Sequence, residues 1–176
     1  MNTKSISKLL SFILRHSPET IQLSLDANGW ANVNTLLHQC KVNGHHFTLA
    51  ELETTVAEND KQRFAFNEDK TMIRASQGHS VNISLGLSPV TPPEYLYHGT
   101  VPKSLAAIRK TGLQKMSRQH LHLSDDLDTA RNVGSRRGVP HILTIRSGDM
   151  HRNGLLFYRS DNGVWLTEEV PPEYIQ

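Results

Sequence analysis

The chain of 176 residues contains only one cysteine, Cys40. It also has no apolar run close to the length needed to cross a bilayer, which is about 20 residues. A single cysteine cannot form an internal disulfide, so nothing in the sequence requires an oxidising compartment. The first residues, MNTKSISKLL, lack the apolar core of a secretion signal. These absences predict a cytoplasmic globular protein, in which Cys40 ends an apolar helical face and belongs to the core.

Two common phosphate-binding signatures are also missing. No G-x-G-x-x-G follows a predicted strand and no G-x-x-x-x-G-K-[ST] occurs, so neither a Rossmann dinucleotide site nor a P-loop is supported. His120 and His122 would face the same side of a strand, but the sequence has no H-E-x-x-H, no second cysteine and no obvious third ligand near them. We therefore predict no metal site.

Carboxylates are absent from residues 95–124. The same window holds five Lys and Arg residues and three histidines: Lys103, Arg109, Lys110, Lys115, Arg118, His98, His120 and His122. A local positive charge of this size favours an anionic partner, such as a nucleotide or an RNA backbone. The alternative is a solvated basic face that acidic residues neutralise after folding.

The first 80 residues predict helices followed by a hairpin. Apolar residues at positions 6, 9, 10, 13 and 14 recur with the spacing of one helix face, and Pro18 ends that helix. Asn32 and Thr48 are the predicted N-caps of two further helices. The segment RFAFNEDKTMIRA predicts two strands around the polar turn at 67–70. This order predicts a winged-helix-like lobe over residues 1–80.

Residues 81–93 carry no formal charge and contain three prolines, which predicts a connector. Over residues 94–176 the pattern changes to short strands with few helices. A strand in YLYHGT precedes a helix closed by Gly112, and a strand in HLHLS precedes a helix, DDLDTARNVG, capped by Ser124. Further strands follow in HILTI, GLLFYRS and GVWLTEEV. The predicted fold class is α+β, with a strand-rich second lobe.

Arg15 and His16 lie side by side at the end of the first predicted helix, immediately before Ser17-Pro18. The helix macrodipole favours cations at this end, so the pair has one interpretation as a C-terminal charge cap. The other interpretation is a functional site. These two residues alone do not decide between them.

Two further pairs of arginines suggest anion binding. If Glu68 and Asp69 form a two-residue hairpin loop, Arg63 lies opposite Arg74, and a bridging phosphate would offset the repulsion between them. A different register is the alternative. In the segment VGSRRG, Gly134 and Gly138 flank two arginines at 136 and 137, which predicts either an anion-binding turn or an exposed basic loop.

Six blocks of the sequence, in order, resemble the RNA 2′-phosphotransferase family, that is, the NAD-dependent tRNA 2′-phosphotransferases and their bacterial relatives. The blocks are SKLLSFILRHSP, RFAFNEDKTMIRASQGHS, YHGT, GLQKMSRQHLHLS, VGSRRGVP and NGVWLTEEVPPEYI. The resemblance implies an N-terminal winged-helix RNA lobe over 1–80 and a C-terminal ADP-ribosyltransferase-type lobe over 94–176, which binds NAD⁺ without a Rossmann fold.

The resemblance also implies the site residues. The catalytic set maps onto Arg15, His16, Arg63 and Arg118. Arg136 and Arg137 compete with Arg118 in the same lobe, and the block GLQKMSRQHLHLS favours Arg118. The residues implied at or near bound NAD⁺ are His98, Gly99, Thr100, His120, His122, Ser124, Gly134 and Arg136. Those implied to face the RNA are Arg74 and Gln77.

The family reaction removes an internal RNA 2′-phosphate in two steps. The phosphate first displaces nicotinamide from NAD⁺ and so becomes ADP-ribosylated. The 2″-hydroxyl of the attached ADP-ribose then attacks the phosphorus, which releases ADP-ribose 1″,2″-cyclic phosphate and RNA with a free 2′-hydroxyl. A phosphate dianion needs no general base, and arginines stabilise the charge of the second step. His16 is either an acid/base or a phosphate donor. One competing hypothesis is an ADP-ribosyltransferase whose acceptor is a terminal phosphate of RNA or DNA, or a protein. The other is a non-catalytic winged-helix protein that binds nucleic acid.

Overall fold

The computed structural model describes all residues from Met1 to Gln176, which form helices and small antiparallel sheets in two compact units. The mixture of helices and strands is the predicted α+β class. The units are Met1–Gly86 and Leu87–Gln176, so the chain passes from one to the other within the segment 81–93. None of the helices combines the length and apolar character that crossing a membrane requires.

The first unit contains three helices, and local sequence signals set their ends. They are α1 (Thr3–Arg15), α2 (Val33–Val42) and α3 (Leu49–Ala57), with a short 3₁₀ helix at Pro18–Ile21. The predicted caps are confirmed: the Asn32 side chain accepts from the Thr35 N–H, and Thr48 forms a capping box with Glu51. The helix α1 ends before Pro18, as predicted.

One face of α1 forms the centre of the core of this unit. Its fully buried residues, Ile6, Leu10, Ile13 and Leu14, pack in one cluster with apolar residues of the other helices and of the sheet. Cys40 is buried in the same cluster, which confirms its predicted place in the core. Burial raises the pKa of its thiol to about 11, so Cys40 is a protonated core side chain.

The sheet of the first unit corrects the predicted hairpin. Its strands are β1 (Ala31–Asn32), β2 (Phe64–Phe66) and β3 (Met72–Ala75), in the order β1-β3-β2. Arg74 pairs with Ala65, so the prediction that Arg74 lies opposite Arg63 is wrong. The loop is longer than two residues because the Asn67 side chain accepts from the Met72 N–H and holds a wider turn.

The second unit is richer in strands. Its elements are β4 (Leu96–Thr100), α4 (Leu105–Thr111), β5 (Leu113–Gln114), β6 (Leu121–Leu123), α5 (Leu127–Ser135), β7 (His141–Ile145), α6 (Ser147–Arg152), β8 (Phe157–Arg159), β9 (Trp165–Thr167) and β10 (Glu169–Val170), with 3₁₀ helices at Pro102–Ser104 and Pro172–Tyr174. All strand pairs are antiparallel: β4 with β7, β5 with β10, and β9 between β6 and β8. A bridge between Tyr97 and Ser124 joins β4 to the end of β6.

The start of α5 differs from the prediction. The N-cap is Asp126, whose carboxylate accepts from the Thr129 N–H, and not Ser124. Ser124 instead exchanges two backbone hydrogen bonds with Tyr97, because the chain is still paired with β4 at that point. The helix also continues through Gly134 and ends at Ser135, one residue later than predicted.

Candidate functional site

In the first unit the charges of three basic side chains act on a buried histidine, and we call the four residues the N-terminal cluster: Arg15, His16, Arg74 and His79. His79 is 2% exposed. Its pKa is lowered to about 4, first by burial and then by the positive charges of Arg15, Arg74 and His16. The charged groups that act on this imidazole are therefore all basic. Such a concentration of positive charge favours an anionic ligand.

The end of α1 is fixed by the segment that follows β3. The Arg15 carbonyl accepts from the N–H groups of Ser80 and Val81, at N···O distances of 2.9 and 3.2 Å. The Ser80 hydroxyl lies 2.8 Å from His16 Nδ1. Beside them the Arg15 guanidinium passes close to Gly78, where an added Cβ would lie 3.5 Å from Arg15 Cζ. The structure thus holds Arg15 and His16 on a rigid element.

Arg74 lies on β3 with its guanidinium over an aromatic ring. Its Cζ is 4.5 Å from the centre of the Trp30 ring, within the range of a cation–π interaction. Its Nη1 donates to the carbonyl oxygens of Asn28 and Leu85, both at 3.4 Å. These contacts give Arg74 a defined position next to the buried His79.

Arg63 and Gln77 leave the same end of the hairpin. The Arg63 carbonyl accepts from the Ser76 N–H at 2.8 Å, and the Arg63 N–H donates to the side chain of Asn59. Gln77 directly follows Ser76 and leads into Gly78. Both predicted residues are half-buried. Gln77 lies on the stretch that reaches the end of α1, and Arg63 is bonded to the start of that stretch through Ser76.

The second unit contains another group of basic residues, which we call the C-terminal cluster: His98, Arg118, His122, Arg136 and Arg137. The pKa of Arg118 is lowered, first by desolvation and then by the charges of Arg136 and Arg137. Arg118 Nη1 lies 3.2 Å from His122 Nδ1. Because a guanidinium only donates, Nδ1 of His122 accepts and that imidazole is neutral. Neighbouring guanidinium groups suit an anion such as a diphosphate.

His98 is a neutral histidine on β4. Its Nδ1 lies 3.2 Å from the backbone carbonyl oxygen of His122. A carbonyl only accepts, so Nδ1 carries the proton. The pKa of His98 is lowered, chiefly by burial and also by Arg137, although the bond to the carbonyl acts in the opposite direction. Nε2 therefore bears a lone pair, which suits it to accept a hydrogen bond from a ribose hydroxyl.

Gly99, Thr100 and Gly134 lie where β4 and α5 touch backbone to backbone. An added Cβ at Gly99 would lie 1.6 Å from the Ala130 carbonyl oxygen, and one at Gly134 would lie 2.9 Å from the Thr100 oxygen. Glycine is therefore required at position 99 by packing, and the packing brings the turn with Arg136 beside β4. Contact of these three residues with NAD⁺ stays a prediction.

His120 and Ser124 flank β6. The His120 ring centre is 5.5 Å from that of Tyr158, and the pKa of His120 is lowered mainly by burial. The Ser124 hydroxyl accepts from the N–H of Asp126, so it shapes the turn before α5. No three histidine, cysteine or carboxylate side chains lie close enough together to hold a metal ion.

His79 and Arg137, which belong to these clusters, and Ser80, which contacts His16, were not among the site residues that the family resemblance implied. His79 and Ser80 lie within the block RASQGHS, where the available signal was a polar run directly after a strand. Arg137 adjoins Arg136, and spacing alone does not show which of two neighbouring arginines acts on Arg118. All three are defined by contacts or charges from distant parts of the chain.

Comparison with known proteins gives a consistent result over nearly the whole chain. The family model described as "RNA 2'-phosphotransferase, Tpt1 / KptA family" matches residues 1–169. A protein of Flavobacterium johnsoniae is 61% identical, over 98% of this chain and 95% of its own length. Proteins of Burkholderia pseudomallei (54% identical, 97% and 92% covered) and Nostoc punctiforme (52%, 97% and 94%) are similar. Each of the three is named a probable RNA 2′-phosphotransferase.

Proposed function

We propose that this chain, which belongs to the RNA 2′-phosphotransferase family, removes an internal 2′-monophosphate from RNA by transferring it to NAD⁺. Family membership confirms the resemblance of the six sequence blocks and supports action on an RNA 2′-phosphate. The observation that carries the proposal is the geometry at the end of α1, where the Arg15 carbonyl and the His16 ring are bonded to the segment 80–81. The positive charges of Arg15, His16 and Arg74 that act on the buried His79 support a phosphate ligand.

The first unit is assigned to the RNA. Arg15, His16 and Arg63 hold the 2′-phosphate, because charge-assisted hydrogen bonds from guanidinium groups to phosphate are short and directional. Arg74 and Gln77 face the neighbouring RNA. A dianionic phosphate is already a nucleophile, so these residues position it and screen its charge while it displaces nicotinamide. The order of helices and a three-stranded sheet supports a winged-helix-like assignment for this unit.

The second unit is assigned to NAD⁺, as an ADP-ribosyltransferase-type lobe. NAD⁺ is consumed as a second substrate and supplies the ribose carbon that accepts the phosphate. Arg136 and Arg137 suit its diphosphate, and the lone pair on His98 Nε2 suits a ribose hydroxyl. Arg118 stabilises the phosphorus centre in the second step, which releases ADP-ribose 1″,2″-cyclic phosphate and RNA with a free 2′-hydroxyl.

The test is an assay of the purified chain with NAD⁺ and an oligonucleotide that bears one internal 2′-phosphate. One nicotinamide and one ADP-ribose cyclic phosphate are expected for each phosphate removed, and a matched oligonucleotide with a 2′-hydroxyl gives neither product. Absence of turnover by the folded protein would refute the proposal. A stable ADP-ribosylated product that never yields cyclic phosphate would favour an ADP-ribosyltransferase instead, and an oligonucleotide with only a terminal phosphate would then test the terminal acceptor.

A further inference from the structure

The segment 78–81 crosses the C-terminal end of α1 and is bonded to it through backbone groups. Ser80 and Val81 both donate to the Arg15 carbonyl, at N···O distances of 2.9 and 3.2 Å. The last carbonyls of a helix have no partner within the helix, so these two bonds satisfy an acceptor that the fold must satisfy. Residues 80 and 81 are therefore held in a fixed position relative to the end of α1.

From this frame the Ser80 hydroxyl reaches the His16 ring. The distance from Ser80 Oγ to His16 Nδ1 is 2.8 Å, and the two residues are 64 positions apart in the chain. His16 follows the last helical residue and has non-helical backbone angles, φ −126° and ψ −46°. A hydrogen bond at Nδ1 restrains the orientation of the His16 ring and directs Nε2 away from Ser80.

The neighbours of Ser80 in the chain prevent the segment from shifting. Gly78 has φ +91°, a conformation that residues with a side chain rarely adopt. His79 is buried with no hydrogen-bond partner for Nε2, and an added Cβ at Gly29 would lie 3.3 Å from that nitrogen. Backbone hydrogen bonds on either side, from the Ser76 N–H to the Arg63 carbonyl and from the Ser80 N–H to the Arg15 carbonyl, hold His79 in this position.

We infer that Ser80 is a positioning residue of the proposed reaction: its hydroxyl fixes the His16 ring so that Nε2 is the nitrogen presented to the RNA phosphate and the reacting hydroxyl. The inference rests on the proposed function, because it assigns His16 to that chemistry. It adds a residue that acts on the substrate only through His16.

The kinetic test compares Ser80→Ala with Ser80→Thr, which keeps the hydroxyl, and with the control Ser84→Ala. Ser84 lies in the same extended stretch, and its hydroxyl accepts from the Gly86 N–H. Loss of one hydrogen bond to the ring is expected to lower kcat of Ser80→Ala about fivefold to tenfold. KM for 2′-phosphorylated RNA stays near the wild-type value, Ser80→Thr recovers most of kcat, and Ser84→Ala behaves as wild type.

A second measurement does not depend on turnover. Nitrogen-15 NMR of the ring of His16, in the full chain without substrate, reports which nitrogen carries the proton. Because the Ser80 hydroxyl can donate to or accept from Nδ1, the bond is expected to act on the Nδ1 shift in either tautomer. Ser80→Ala is expected to change the Nδ1 shift more than the Nε2 shift. Ser80→Thr retains the wild-type shifts.

The two measurements separate the inference from the proposed function. A wild-type chain without phosphotransferase activity would refute the proposed function, while the His16 shifts would still test the bond to Ser80. Unchanged His16 shifts in Ser80→Ala would overturn the inference. So would a loss of kcat that Ser80→Thr does not recover, because that result would indicate a structural role.

Discussion

The two basic clusters lie on different kinds of backbone. In the N-terminal cluster, Arg15 ends a helix and Arg74 lies on the central strand of the sheet. The segment that carries His79 is held by backbone hydrogen bonds at Ser76 and at Ser80. In the C-terminal cluster, Arg118 lies on the turn before β6, and Arg136 and Arg137 lie on the turn after α5. Only His98 and His122 of this cluster lie on strands.

If both clusters bind anions as proposed, we expect this difference to give two ways of binding. A cluster built on a helix end and a strand is already organised and needs little reordering to receive one small phosphate. Arginines on turns adapt to a larger, extended ligand, and they depend on the close packing of the strand and helix behind them. The contrast predicts that substitutions in the two units have different consequences.

The largest expected effect is on the packing beneath the C-terminal cluster. Gly99→Ala places a Cβ on the Ala130 carbonyl oxygen, an overlap with backbone that is expected to cost about 4 kcal/mol or more. Urea unfolding measures the cost. Each unit carries one tryptophan, so a Trp30→Phe background reports the second unit through Trp165.

The control for this substitution is Gly154→Ala, where an added Cβ meets no atom within 4 Å. Because Gly154 has φ +89°, an alanine there costs about 1 kcal/mol in backbone strain, still far less than is expected for Gly99→Ala. Equal losses of unfolding free energy in the two variants would show that the close packing of α5 against β4 does not require glycine at position 99.

The next effect is the pH dependence of the free energy of unfolding of the first unit, which contains the N-terminal cluster. The pKa of His79 falls from 6.5 in the unfolded chain to about 4 in the folded one, so the unfolded state binds more protons between these values. The contribution of neutral His79 to the free energy of unfolding is therefore fully present above pH 6.5. It is lost as the pH falls toward 4, by up to about 3 kcal/mol.

His79→Gln is expected to flatten this pH dependence, measured by urea unfolding in a Trp165→Phe background that reports the first unit through Trp30. His38→Gln, at an exposed position of α2, is the control and leaves it unchanged. If His79→Gln retained the full slope between pH 6.5 and 4, the imidazole would not be held neutral by burial.

The third effect is catalytic. Arg15→Ala is expected to slow phosphate removal by roughly 10- to 100-fold, because a charge-assisted hydrogen bond contributes about 1.5–3 kcal/mol. Circular dichroism and the unfolding curve check the fold, and Arg131→Ala, at an exposed arginine paired with Asp128, is the control. A loss of activity that only follows a loss of helix would restore the interpretation of Arg15 as a charge cap.

Local signals allowed most of the fold of the first unit to be predicted. Asn32 and Thr48 are read correctly as caps because each bonds to a backbone group three residues away. The register of the hairpin could not be predicted from the sequence, because the side chain of Asn67 stabilises a wider loop. At α5 two candidate caps lie close together, and the pairing of Ser124 with a distant strand leaves Asp126 as the cap.

The site was predictable only where its residues carry a recognisable block. Arg15 and His16 stand out at a helix end, and the block pattern adds Arg63 and Arg118. Ser80 was not identifiable, because its contact with His16 spans 64 positions and depends on the fold. Charges that act through space, such as that of Arg137 on Arg118, are likewise absent from any local pattern.

The most direct test of the division between the clusters is a single-turnover time course with 2′-phosphorylated RNA and NAD⁺. Wild type, Arg15→Ala and Arg118→Ala are compared, and ADP-ribosylated RNA and cyclic phosphate are both followed. We predict that Arg15→Ala forms ADP-ribosylated RNA slowly, whereas Arg118→Ala forms it at near the wild-type rate and accumulates it. Slow formation in Arg118→Ala with no accumulation would contradict the account.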